Sequence, residues 1–175
     1  MKNRFYLALL AILMSFSMNA QETPQFKKYA IKETGAHAYF PSEPEWAISV
    51  SEDGSSIYTS EVIHDNHNYG MILVKLAQEL GSDSTEWMSM MSAYIEYLNI
   101  SLFDFNDVTP LGLGHTLDSH PNAVGVIEYG TDKSNSEFKV KGWADNQFIA
   151  IMYVGNIKDM NMNYQELFLN GFRFP

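Results

Sequence analysis

An α+β fold, with antiparallel strands covered by helices, is predicted by three observations. Apolar residues alternate at period two in the first half of the chain, switch to helical spacing over Ser84 to Leu102, then return to strand-like runs before a short last helix. Strands grouped in hairpins, with helices between and after them, predict an antiparallel sheet rather than a βαβ arrangement. About six or more strands covered by two main helices is the expected architecture.

The elements follow in order. Ala38-Tyr39-Phe40 is a short aromatic run closed by Pro41, and Pro41 to Pro44 is a loop because proline lacks the donor a strand needs. Trp46, Ile48 and Val50 alternate with Ala47, Ser49 and Ser51, the pattern of a half-buried strand. Asp53-Gly54 signals a type I′ hairpin, since glycine accepts positive φ. The return strand runs from Ile57 to Ile63. The polar stretch His64 to Asn68 reads as the next turn, and Tyr69 to Leu76 as a further strand. Asp83 is a good N-cap with Glu86 three residues on, a capping-box spacing. Trp87, Met91, Ile95, Leu98 and Leu102 then form one apolar stripe, which predicts a helix from Ser84 to Leu102.

Val108 to Leu117 contains Pro110, Gly112 and Gly114 and reads as an irregular or edge strand. A turn over Ser119 to Asn122 leads to a β-prone run from Ala123 to Tyr129. Gly130 to Ser136 is a polar hairpin loop, Phe138 to Trp143 alternates, and Asp145-Asn146 is a tight turn. Phe148 to Val154 is almost wholly apolar, which predicts a central strand buried on both faces. Met160, Tyr164, Leu167 and Phe168 mark a last helix ending near Asn170, with Gly171 as its C′ residue.

The N-terminus carries an address. Lys2 and Arg4 precede an apolar run from Phe5 to Phe16, and Ser17 to Ala20 supplies a small-residue junction before Gln21. This is the pattern of a secretory signal peptide, and the run is shorter than the 20 or so apolar residues of a membrane span. Cleavage after Ala20 is expected, and the competing reading is an uncleaved N-terminal anchor. Cleavage leaves residues 21–175 as a single α+β domain, exported to the periplasm or outside a Gram-negative-type bacterium, with no stable membrane anchor. Removing Lys2 and Arg4 takes the formal charge from −10 to −12. That balance argues against nucleic acid and anionic lipid as partners, because both are held through clustered Lys and Arg. The chain has no cysteine, which excludes disulfides, thiolate nucleophiles, Cys-ligated metal and a lipid-modified N-terminal Cys.

The order of elements resembles the PsbP-like fold, shared by extrinsic photosystem II subunits and by a Ran-binding family of the Mog type. The corresponding pieces are Tyr39-Phe40-Pro41-Ser42, the helix from Ser84 to Leu102, Ala123-Val124-Gly125-Val126 with Phe138 to Val154, and Tyr164 to Phe174. The closing Asn170-Gly171-Phe172-Arg173-Phe174 is similar to the helix-then-aromatic endings of such domains. The resemblance rests on order and texture and brings no catalytic residue set. It implies a non-catalytic binding or accessory role, and nothing in the chain ties it to photosystem II or to Ran.

Few residues carry chemistry. His64, Asp65 and His67 place two imidazoles and a carboxylate within four residues, a partial transition-metal site that needs a third ligand from His37, His115 or His120. The competing reading is a polar turn, which the Asn and Asp content favours. His115, Asp118, Ser119 and His120 lie together in sequence, but no Gly-x-Ser-x-Gly elbow supports a hydrolase. Leu111-Gly112-Leu113-Gly114 lacks the third glycine of a dinucleotide loop, and no cofactor is assigned. Trp46, Trp87 and Trp143 lie in separate elements, where a core or an interface would use them. Among the helix methionines Met88, Met90 and Met91, Met91 falls on the stripe and Met88 faces elsewhere. The expected function is therefore a binding module for an unidentified protein or small molecule. The alternative is a metal-binding protein or metal-dependent hydrolase built on His64 and His67.

Overall fold

The computed structural model describes residues 25–175 other than 118, with the side chains of residues 114–116 also outside the description. The signal peptide expected over residues 1–20 and the leader expected to Pro24 lie outside the described residues. So does Asp118.

Two strands, β1 (Lys27–Ala30) and β2 (His37–Phe40), form a small hairpin around a 3₁₀ turn. Seven more follow: β3 (Ala47–Val50), β4 (Ser56–His64), β5 (His67–Lys75), β6 (Phe105–Leu117), β7 (His120–Asp132), β8 (Glu137–Ala144) and β9 (Phe148–Gly155). Helix α1 (Ser84–Ser101) separates β5 from β6, and α2 (Met162–Leu169) follows β9. The seven strands make one sheet in the order β3-β4-β5-β9-β8-β7-β6, antiparallel throughout. The α+β class and the large antiparallel sheet are as the sequence predicts.

The apolar run of β9 has the reason expected of it, since β9 is the middle strand and both its faces are covered. Its even residues Phe148, Ala150, Met152 and Val154 join Tyr69, Met71, Leu73 and Trp143 beneath α2 and the β1–β2 hairpin. Its odd residues Ile149, Ile151 and Tyr153 join Ile72, Val74, Val126 and Val140 beneath α1. The sheet thus carries two separate cores, one per face. On the α2 face Phe168 stands edge-on to Phe40 and Tyr69, with ring centres 5.1 and 5.2 Å apart. On the α1 face Gly142 of β8 lets the helix approach, because a Cβ there would lie 2.6 Å from the Met91 sulfur.

Several local expectations are corrected. Ile48 and Val50 are exposed, because β3 is an edge strand that neither helix reaches. The β3–β4 turn is a three-residue loop closed by Ser51 N–H donating to Ser55 O. Only Gly54 has positive φ, so it is not type I′. The β4–β5 turn is shorter than the expected five residues. Asp65 and Asn66 both take positive φ, so two residues suffice, and His64 pairs with His67 as strand residues. Strand β7 begins at His120, where a turn to Asn122 is expected, and β6 and β7 each run 13 residues. Asp83 caps α1 by accepting the Thr85 N–H, whereas Leu102 at the end of the stripe is exposed. Gly171 does not take positive φ. Its glycine requirement is close approach, since a Cβ would lie 2.8 Å from Phe168 O.

Candidate functional site

The two faces of the sheet are covered to different extents. On the α2 face β4 is sealed: Tyr58, Ser60 and Val62 are buried. On the α1 face the alternate residues of the same strand remain open, with Ile57 and Thr59 half-buried and Glu61 and Ile63 exposed. The cause is where α1 lands. Its buried residues Trp87, Met91, Ile95 and Leu98 sit in the core formed with β5, β7, β8 and β9, which leaves the β3–β4 side of that face without a helix.

A groove results along the flank of α1. One part, about 360 Å³, has a floor of Ile57, Val74, Leu76 and Ile149 and a wall of Met90, Ala93, Tyr94 and Tyr97, and ends at the Ser51–Ser55 loop. The other, about 420 Å³, lies one step along the same strands, over Ala47, Thr59 and Ile72, beside Leu102 and Tyr153. These sizes fall in the range of small-molecule sites. Tyr94 and Tyr97 stack on one another with ring centres 6.4 Å apart, and burial pushes the Tyr94 phenol up, so it remains neutral. At the far end Tyr153 lies across Gly70, where a Cβ would meet its ring, and its hydroxyl donates to Glu61 Oε2 at 2.8 Å. Burial, then the Glu61 charge, pushes that phenol far above the tyrosine range. At the near end Asp53 accepts from the Ser51 hydroxyl and from the Ser55 N–H and hydroxyl, which hold its carboxyl low.

A larger hollow of about 560 Å³ lies outside α2, but its charged groups are already committed. Glu166 accepts from Lys139 at 2.5 Å and from Lys141 at 3.0 Å, and Asn170 accepts from Lys141. Arg173 donates to the Asn170 and Phe172 carbonyls. Burial acts to raise the Glu166 carboxyl, yet the two ammonium groups outweigh it and bring it down to about 2. The side chains of Lys139 and Lys141 are only 11% and 9% exposed, so this trio is a structural tie between α2 and β8.

The histidines expected to bind metal are brought opposite one another across the β4–β5 hairpin, each with its own contact. His64 Nε2 lies 3.5 Å from Asp65 Oδ2. His67 Nδ1 lies 2.7 Å from the Asn156 carbonyl, a contact that makes Nδ1 the protonated nitrogen. Of the expected third ligands, His37 is bridged through its backbone to Arg173, and His120 faces Asp145 at 3.4 Å and stacks on Phe174. The His115 side chain is outside the description. Among the described residues no group of three or more His, Asp or Glu is placed around one metal position.

The groove is not among the sequence-predicted sites, although a signal was present. Met90, Ala93, Tyr94 and Tyr97 fall at i, i+3, i+4 and i+7, a second helical stripe beside the first. Met90, not Met88, lines it. Of the tryptophans, Trp87 and Trp143 are core, and Trp46 packs edge-on against Phe40 at 5.9 Å. No protein-family model matches the chain, and no characterised protein matches it in sequence.

Proposed function

We propose that this protein is an exported, non-catalytic binding module of PsbP-like type that holds a small apolar ligand in the groove between α1 and strands β3 to β5. The observation that carries the reading is the asymmetry of β4, whose residues are buried toward α2 and open toward α1. Apolar surface left beside a wall of Met and Tyr is the composition of a ligand site rather than of a solvated face. Export is supported by the Lys2, Arg4 and Phe5 to Phe16 pattern, and the PsbP-like type by the order of elements alone. Tyr153 and Glu61 are oriented at the groove's end, but no nucleophile, base and orienting group converge there, and binding is the activity that the geometry supports.

Titration with a neutral apolar fluorophore, N-phenyl-1-naphthylamine, tests this. Wild type should enhance its fluorescence saturably. Ala93→Trp, which fills the groove from an exposed helix position, should weaken binding at least about tenfold, a loss of about 1.4 kcal/mol. Leu167→Trp on the outer side of α2 should leave it unchanged. Equal binding by all three proteins would remove the groove from consideration.

A further inference from the structure

We infer that the ligand of this groove is a cationic amphiphile, a small molecule with an ammonium-type group on an apolar tail. The inference rests on the groove being the binding site and adds the charge of what it takes. Three carboxylates line the groove, Glu45 and Glu61 toward one end and Asp53 at the other, and no Lys, Arg or His is among its lining residues.

Two of these carboxylates are held in place without being neutralised. Glu61 accepts from the Tyr153 hydroxyl and from the Asn68 amide, both neutral donors. Asp53 accepts only from the hydroxyls of Ser51 and Ser55 and a backbone N–H. Among the described residues neither they nor Glu45 takes part in an ion pair. The contrast with Glu166 on the opposite face is direct, since that carboxylate faces two ammonium groups. An oriented but unpaired carboxylate at each end of an apolar floor attracts a cation and repels an anion, so a fatty-acid-like ligand is disfavoured. The stacked Tyr94 and Tyr97 rings give the cation a second attractive surface.

The test displaces N-phenyl-1-naphthylamine from residues 21–175 with three probes of equal chain length below their micelle concentrations. These are decyltrimethylammonium, neutral decyl maltoside and decyl sulfate. The cationic probe should compete about three- to fivefold better than the neutral one, as one partly screened charge contact at one end of the groove allows, and the anionic probe worst. Glu61→Gln and Asp53→Asn should each lower the ratio of cationic to neutral competition. The preference should also shrink between about 0.01 M and about 1 M salt, over which the screening length falls from roughly 30 Å to roughly 3 Å. Equal competition by the cationic and neutral probes would overturn the charge assignment and leave the groove standing. No binding of the fluorophore or of any competitor would overturn the groove reading itself.

Discussion

The two faces of the sheet are built from the same strands and have opposite fates. Toward α2, the β1–β2 hairpin, the helix and the C-terminal Phe172 and Phe174 cover β4, β5, β9 and β8 with interlocked aromatics. Toward α1, a single longer helix covers the opposite end of the sheet and leaves β3 and β4 open. The difference teaches that alternation along a strand does not by itself say which face is filled. The closed face supplies stability through packing, and the half-open face carries the groove to which we assign a ligand.

That division is easiest to break on the closed face. Phe168 is fully buried at the centre of its cluster, and Phe168→Ala should lower unfolding free energy by about 3–5 kcal/mol, seen as a fall in urea midpoint at constant slope. A loss under about 1 kcal/mol would mean that the aromatic cluster is not the stabilising core. Glu166→Gln comes next. It leaves two nearly buried ammonium groups without their counter-charge and should cost about 2 kcal/mol at neutral pH, toward the lower end because Glu166 is 41% exposed. The pH dependence follows from the sign of the shift. The folded carboxyl is held at about 2 against an ordinary 4.5, so its contribution is complete above 4.5 and is lost as pH falls from 4.5 toward 2. Urea unfolding across that window should show wild type losing stability relative to the Gln variant as pH falls. Parallel curves would remove the ion trio from the account.

On the α1 face, Gly142→Ala forces a methyl group against Met91 and Ile151 and should cost about 1–2 kcal/mol, with α1 displaced outward. The groove wall should behave differently. Tyr97 is largely exposed, so Tyr97→Ala should change stability by no more than about 0.5 kcal/mol while weakening fluorophore binding several-fold. Loss of stability without loss of binding would reverse the roles assigned to the two sides of α1. The smallest effect is expected from His64→Ala with His67→Ala. A thermal-shift series with zinc, copper and nickel should give the same response in the double variant as in wild type. A metal-specific rise confined to wild type would instead favour the metal-binding alternative.

Much of this fold is legible in the sequence, for reasons that are local. β9 reads as central because both of its faces are apolar, and Trp87, Met91, Ile95 and Leu98 read as one buried stripe because they share a helix face. Leu102 breaks that stripe because the helix ends at Ser101. Ile48 and Val50 alternate as a half-buried strand should, yet lie bare at the sheet edge, because alternation records a difference between faces and not the presence of a cover. The β1 strand is short and begins with two lysines, so its pattern is hidden. The groove is hidden for a different reason. Its members come from β3, β4, β5, β9 and α1, and it exists only because α1 docks off centre. Tyr94 and Tyr97 gave a helical spacing but not the knowledge that no second helix would cover the sheet beside them.

The most direct measurement is a methyl NMR map of residues 21–175 with and without the neutral fluorophore. Methyl signals from Ile57, Val74, Leu76, Met90 and Ile149 should shift together with one saturation curve. Those of Leu73, Met152 and Leu169 on the closed face should stay in place. Shifts centred on the closed face, or spread evenly over both, would contradict the division between a packed face and a binding face.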